Sequence, residues 1–148
     1  MRGFTLIEII VSVAVVAILA SIATISFNGL REQQALVNGA EEVRTLLLRA
    51  RARTLAAEDD SVFGLHITAP SVTLFRGATY NPLAVDNELH MLDSLVTIST
   101  YSFSGGGADV VFNKRTGATS TYGTITVALV SDPSKTRVVT ITATGLVE

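Results

Sequence analysis

A single carboxylate stands inside the long apolar run that begins this chain, and that combination limits what the first residues can form. Residues 4–27 are 24 positions of mostly apolar or small side chains, and Glu8 is the one charged residue among them. As a helix with a rise of about 1.5 Å per residue, this run spans roughly 36 Å, more than the bilayer core of about 30 Å. The sequence therefore predicts a membrane-spanning helix.

The carboxylate of Glu8 calls for a cationic partner. An acid costs about 2.5 kcal/mol or more at the centre of a membrane helix and less near its ends. Cleavage between Gly3 and Phe4 would create an amine at Phe4 that is largely protonated at neutral pH. Phe4 and Glu8 share one helix face, so Glu8 could pair with the amine of its own chain or of a neighbouring copy. Pairing between copies would fix the stagger of the packed helices.

The first residues also carry a family resemblance. The segment Gly3-Phe4-Thr5-Leu6-Ile7-Glu8, followed by an apolar helix, resembles the class III signal of type IV pilins and type II secretion pseudopilins. The resemblance implies that a membrane prepilin peptidase cleaves after Gly3 and N-methylates Phe4. It also implies that Glu8 is the acid at the fifth mature position. Family leaders are usually longer than residues 1–3, which leaves an upstream start codon open.

Two other interpretations of the N-terminal run are a secretory signal peptide and a plain membrane anchor. Ser21-Ile22-Ala23 loosely matches a signal-peptidase site. However, the apolar region of a signal peptide is only about 7–15 residues long. Neither interpretation accounts for Glu8, so the pilin-type signal is favoured.

The next stretch, residues 30–57, has the pattern of an amphipathic helix. Its apolar side chains recur at intervals of four and three residues, which places them in one stripe. We expect this stripe to pack on the sheet of the same domain and the helix to end by the acids at 58–60, on a solvated loop. Arg49, Arg51 and Arg53 are expected on a solvated face. The stripe consists of Leu36, Ala40, Val43, Leu47 and Ala50, with Leu46 and Leu55 beside it.

From residue 61 the hydrophobic period changes to two, which predicts strands joined by tight turns. The fold class is therefore α+β, with a long N-terminal helix packed on an antiparallel sheet. The predicted domains are a leader (1–3), a membrane or filament-core helix (4–29) and a globular domain (30–148), in which a helix (30–57) precedes the sheet (61–148). The predicted strands are 62–68, 71–76, 86–92, 95–103, 109–113, 123–130 and 136–144.

A weaker resemblance covers the C-terminal half. Val111-Phe112, Gly117, Ile125-Thr126-Val127, Arg137-Val138-Val139 and Thr144-Gly145 follow one another as in H-type pseudopilins and FimT-like minor pilins. The resemblance implies a pilin domain. Some FimT-like pilins bind DNA through basic residues after the last glycine, but residues 146–148 contain none here. DNA is therefore not the expected partner, although Lys114, Arg115, Lys135 and Arg137 could form a small basic patch.

Nothing in the sequence points to catalysis. His66 and His90 are the two histidines, and neither stands in a metal-ligand motif such as H-E-x-x-H. The chain has no cysteine, which excludes disulfides and thiolate metal sites, and its net charge of −2 gives no general attraction for nucleic acid. We expect no enzymatic activity, no catalytic residue, no metal and no cofactor.

The functional prediction is a structural subunit of a type IV pilus or a type II secretion pseudopilus. Its assembly residues are Phe4 and Glu8, and its processing site lies between Gly3 and Phe4. The resemblance implies four partners: other copies and related pilins, the prepilin peptidase, the inner-membrane assembly platform, and lipid before assembly. It implies a single-pass protein of the inner membrane that moves to an extracellular pilus or a periplasmic pseudopilus. The alternative is a minor tip subunit that binds DNA, a surface or a secreted substrate, through loops such as residues 77–84.

Overall fold

The computed structural model describes residues 4–148, except for the side chains of residues 22–28. The chain forms two compact units, Met1–Gln34 and Ala35–Glu148. Helix α1, Leu6–Leu55, supplies the helical part of both units. A short 3-10 turn, Glu58–Asp60, follows the helix, so the predicted helix end before the acidic run is confirmed.

Seven strands follow α1, at or within a few residues of the positions that the period-two pattern predicts. Their ends fall where glycine, proline or polar turn residues interrupt the alternation. The strands are β1 (Phe63–Thr68), β2 (Ser71–Arg76), β3 (Glu88–Met91), β4 (Val96–Phe103), β5 (Asp109–Val111), β6 (Gly123–Leu129) and β7 (Thr136–Ile141).

The strands form two antiparallel sheets rather than the one sheet that we expected. Sheet A has the order β3-β2-β1-β5, and sheet B has the order β4-β6-β7. The chain changes sheet after β3, where the Ile98 N–H and the Thr97 hydroxyl both donate to the Ala69 carbonyl. The turn between β1 and β2 therefore joins the start of sheet B to one end of sheet A. The predicted α+β class, a helix packed on antiparallel strands, is confirmed.

The core of the second unit lies between the helix stripe and the two sheets. Val43, Leu47 and Ala50 are fully buried and Leu36 is nearly so, which confirms that the stripe packs within its own domain. Leu55 differs, because it lies at the last helical position and is 42% exposed. Sheet residues complete this core, among them Phe63, Leu65, Leu74, Phe112, Ile125 and Ile141.

The C-terminal turns of α1 are bonded to the domain rather than solvated. Arg53 donates to Glu58 and to Glu88 at the start of β3, with N–O distances of 2.6 Å, and its guanidinium lies 4.2 Å from the centre of the Phe63 ring. Arg49 pairs with Glu88 at 3.0 Å. The expected solvated arginine face is therefore wrong, because spacing along a helix does not show which loops return beside it.

The acidic residues of the 3-10 turn also form ion pairs with the domain. Glu58 pairs with Arg53, Asp59 with Arg76 at 3.3 Å, and Asp60 with Lys114 at 2.7 Å. The hydrogen bond from Arg53 lowers the pKa of Glu58, and the hydrogen bond from Lys114 lowers the pKa of Asp60. These three consecutive acids thus contact α1, β2 and the segment after β5.

Candidate assembly site at the helix N-terminus

Thr5 and Glu8 cap the first turn of α1 through hydrogen bonds to each other. The Thr5 N–H and hydroxyl both lie 3.4 Å from the Glu8 carboxylate, and the Glu8 N–H donates to the Thr5 hydroxyl at 3.4 Å. This is a capping box, in which each side chain satisfies a backbone N–H that the helix leaves unpaired. The carboxylate also lies where the helix dipole favours negative charge.

Of the predicted site residues, the structure describes Phe4 and Glu8, whereas Gly3 lies outside the described residues. Phe4 is 81% exposed and precedes the helix. Glu8 is exposed, and no lysine, arginine or histidine of the described residues forms an ion pair with it. Its carboxylate therefore makes polar contacts to Thr5 and remains open to a cation from another molecule.

Large apolar side chains cover α1 on both sides of Glu8, from Leu6 to Leu19. Each of them is at least half exposed in the single chain, which is far more apolar surface than a soluble monomer presents in one segment. The side chains are Leu6, Ile7, Ile9, Ile10, Val11, Val13, Val15, Val16, Ile18 and Leu19.

The two described serine hydroxyls of this helical segment donate to backbone carbonyls within it. The Ser12 hydroxyl donates to the Glu8 carbonyl and the Ser21 hydroxyl to the Ile18 carbonyl, both at 2.7 Å. Such bonds to the preceding turn let a hydroxyl enter an apolar environment without an unpaired donor. Within the part of the chain that the structure describes, no helix meets both the length and the hydropathy that crossing a membrane requires.

The loop predicted to make contacts lies over the outer face of sheet A, the face opposite α1. Tyr80 stacks on His66 with a ring distance of 3.9 Å and an angle of 8°, and it meets Phe75 edge-on at 5.5 Å. His66 Nδ1 lies 2.5 Å from Asp109 Oδ1. The loop and this pair cover Thr73 and Phe75, which are buried although they point away from the helix.

The predicted basic residues do not form one free patch. Lys114 is bonded to Asp60, and Lys135 lies 3.7 Å from Asp132. Arg137 lines a groove of about 220 Å³ between α1 and β7, together with Glu41, Arg44 and Glu148. Acidic side chains therefore lie close to three of the four predicted basic residues. No cluster of potential metal ligands occurs among residues that the structure describes.

Sequence reasoning missed two features. The capping box was readable, because Thr5-Leu6-Ile7-Glu8 has the spacing of a threonine three residues before an acid. The second feature is the position of Arg51, whose Nε donates to the Gly117 carbonyl at 3.0 Å. Gly117 and Gly145 cross at this point, and a Cβ on Gly145 would overlap the Gly117 carbonyl. The C-terminal glycines of the sequence pattern therefore meet beside α1.

Comparison with known proteins gives one family motif and one fold. Residues 1–24 match the family model of the prokaryotic N-terminal methylation motif. None of the curated protein sequences matches the chain significantly.

The fold is similar to that of the type IV minor pilin FimU from Pseudomonas aeruginosa PAO1 in two crystal forms. In space group P21 the TM-score is 0.59 at 13% identity, with 80% of this chain and 90% of the other covered. In space group P65 the TM-score is 0.54 at 16% identity, with 76% and 90% covered.

Proposed function

We propose that this chain, which carries the prokaryotic N-terminal methylation motif and has the fold of a type IV minor pilin, is a filament subunit of a type IV pilus or a type II secretion pseudopilus. The observation that carries the proposal is the methylation motif of residues 1–24 at the start of a helix whose large apolar side chains from Leu6 to Leu19 are at least half exposed. The subunit is cleaved after Gly3 and methylated on the amine of Phe4.

The assembly step follows from Glu8. Its carboxylate is exposed, and in the described chain its contacts come from Thr5. In a bundle of packed apolar helices the local dielectric is low, so an unpaired carboxylate is costly and a protonated amine of another copy is the favoured neighbour. The charge pair then sets the stagger between copies, while the side chains from Leu6 to Leu19 bury one another.

The same helix accounts for the proposed location. Before assembly, residues 4–29 lie in the inner membrane, with lipid around the apolar side chains. The prepilin peptidase and the assembly platform act on the subunit there. After assembly, the helices pack in the filament core, in an extracellular pilus or a periplasmic pseudopilus.

The subunit is proposed to be a minor one, because the solved relatives in fold are minor pilins. A minor subunit occupies few positions in a filament. Quantitative mass spectrometry of sheared filaments tests this, since a major subunit would supply most of the protein. The observed pairing of Lys114 with Asp60 and of Lys135 with Asp132 gives no support to a DNA-binding role.

A charge-specific variant tests the proposed assembly step. Glu8→Gln retains a side-chain oxygen for the capping box but removes the charge. We expect membrane insertion to be unchanged and filament yield to fall at least about tenfold, because breaking a buried ion pair costs more than the 1.4 kcal/mol of a tenfold change. Glu41→Gln, at an exposed acid of α1, is the matched control. Wild-type filament yield from Glu8→Gln would refute the charge pair.

Processing is tested separately by mass spectrometry of the mature chain. The expected product begins at Phe4 and carries one methyl group on its amine. A mature chain that retains Met1 would exclude cleavage after Gly3.

A further inference from the structure

Strand β3 forms an edge of sheet A, and its outer backbone groups have no partner in the described chain. The Leu92 N–H donates to the Pro70 carbonyl at 3.1 Å, which sets the alternation along the β2–β3 ladder. Since bonded pairs alternate in an antiparallel ladder, His90 exchanges bonds with Val72, and the backbone groups of Leu89 and Met91 point outward. No group among the described residues bonds to these outward groups.

The other sheet edges are closed, in whole or in part, by the chain itself. On β5, the Val111 N–H donates to the Thr121 hydroxyl and its carbonyl accepts from the Thr119 hydroxyl. On β7, Thr140 exchanges two backbone bonds with Glu148. Strand β4 carries a bulge between Ile98 and Thr100. Bulges and covering segments are the usual means by which proteins keep edges from pairing.

The uncovered part of β7 differs from β3 in its charges. The groove beside Val138 is lined by Glu41, Arg44, Arg137 and Glu148. Charged side chains at an edge oppose strand addition. At β3, by contrast, the outward positions carry Leu89 and Met91, which are 62% and 60% exposed.

We propose that the β3 edge pairs with the β3 edge of a second copy of this chain, antiparallel, about a twofold axis at His90. This register places Leu89 of each copy opposite Met91 of the other. Both residues have outward backbone groups, so the two pairs exchange four hydrogen bonds across the axis. The outward N–H and C=O groups of β3 are thus complementary to those of a second β3 strand.

The side chains are compatible with this register. Leu89 and Met91 lie on the same face, and apolar pairs opposite each other stabilise a ladder. Leu83 and Val85, in the preceding loop, are 87% and 102% exposed and add apolar surface on the approach to the strand. The one charge on β3, Glu88, is already neutralised by Arg49 and Arg53.

Twofold pairing closes after two copies, whereas filament growth needs a contact that repeats head to tail. The pair is therefore a state of the subunit outside the filament lattice. A contact of two short strands lies at the small end of protein interfaces, so the association is weak and depends on local concentration.

Single-cysteine variants of the full chain in detergent micelles test the register. The chain has no native cysteine, so each variant carries one thiol. Leu89→Cys protein is mixed with Met91→Cys protein that carries a mass tag, and disulfides are formed with a mild oxidant. Bonded cross-strand pairs have Cα atoms about 5.5 Å apart, which suits a disulfide, whereas two Leu89 positions lie beyond its range of about 7 Å.

The expected result is an excess of mixed over same-variant dimers of about fivefold or more, because only the mixed pair meets the disulfide geometry. Val138→Cys, at the charged part of the β7 edge and 54% exposed, should give few dimers. Equal yields of mixed and same-variant dimers, or an equal yield from Val138→Cys, would overturn the proposal. Disulfide capture of a different protein in place of a second copy would overturn it too.

A proline variant provides a second measurement. Met91→Pro removes an N–H that β2 does not use, so the fold should persist while one hydrogen bond to the second copy is lost. Sedimentation of the full chain should show fewer dimers for Met91→Pro and wild-type behaviour for Val138→Pro, which removes an outward N–H on β7. An unchanged dimer fraction in Met91→Pro would contradict the β3 edge as the contact.

Discussion

The carboxylate of Glu8, which is proposed to pair with another copy, already has a role in capping α1 in the single chain. In the single chain it accepts hydrogen bonds from Thr5, so the charge is partly stabilised before any second copy arrives. Because carboxylates accept several hydrogen bonds, the same group retains capacity for an amine. The cap therefore does not conflict with the proposed pairing of Glu8 with an amine of another copy.

The cap can be tested apart from the charge. Thr5→Ala removes the hydroxyl that accepts the Glu8 N–H, and loss of such a cap costs about 0.5–2 kcal/mol. Amide hydrogen exchange over the first helical turn should therefore become about 2–30-fold faster, because each 1.4 kcal/mol is a factor of ten. Thr5→Ser should restore slow exchange. Equal exchange in all three proteins would show that the cap does not hold this turn.

Gly145 is a residue at which the local geometry favours glycine. Its φ is +78°, and a Cβ there would overlap the Gly117 carbonyl. Gly106 has a similar φ of +75° but open space around its Cα. The two positions therefore share the backbone penalty and differ in the clash.

Alanine at both glycines separates these effects. We expect Gly145→Ala to lower the free energy of unfolding by about 1–3 kcal/mol more than Gly106→Ala, the usual cost of forcing atoms into a packed site. Urea unfolding of the two variants measures this difference. Equal destabilisation would mean that the crossing of Gly117 and Gly145 relaxes freely.

At the scale of elements, ion pairs join the end of α1 to segments far away in the sequence. Glu58 and Asp60 both have pKa values lowered by hydrogen bonds from cations. A carboxyl whose pKa is lower in the folded state stabilises the fold above its unfolded pKa, and that contribution is lost as the pH falls through the folded pKa.

Stability should therefore decline as the pH falls below about 4, where these carboxyls begin to take up protons. Lys114→Met removes the partner of Asp60 and should make the decline shallower. Thermal unfolding of both proteins between neutral and acidic pH measures the two slopes. The same slope in wild type and variant would show that Asp60 gains nothing from Lys114.

Elements were more predictable from sequence than their arrangement. The helix stripe and the strand positions follow from periodicity, which depends on which face of each element is buried. The two sheets meet where the Ala69 carbonyl accepts hydrogen bonds from Thr97 and Ile98, a contact between segments about 28 residues apart. Periodicity carries no information about such a contact.

In the candidate site, too, local features could be predicted from the sequence and contacts between distant segments could not. The motif from Gly3 to Glu8 was readable because its spacing is local. The stacking of Tyr80 on His66 could not be predicted in this way, because it joins a loop to the outer face of β1, two segments whose contact is not local in sequence. Arginines 49, 51 and 53 were misplaced for the same reason, since their partners come from later segments.

At the scale of the whole molecule, the second unit contains a complete core. Its buried helix residues begin at Ala35 and Leu36, which are 7% and 6% exposed. All the described helix residues of this core lie at Ala35 or later in the sequence.

We therefore expect residues 30–148 to fold in water without detergent. A shorter fragment that begins at residue 38 lacks Ala35 and Leu36 and should be less stable by about 2–5 kcal/mol, the usual cost of removing a large buried side chain. Circular dichroism melts of the two fragments test this. Insolubility of the longer fragment would indicate that the stripe on α1 needs other chains to cover it.

The contact of Arg51 with Gly117 has a mechanical consequence. It ties one turn of α1 to two crossing loops that lie far apart in the sequence. A pull along the helix axis would therefore load the Arg51–Gly117 hydrogen bond and, through it, the place where the two loops cross.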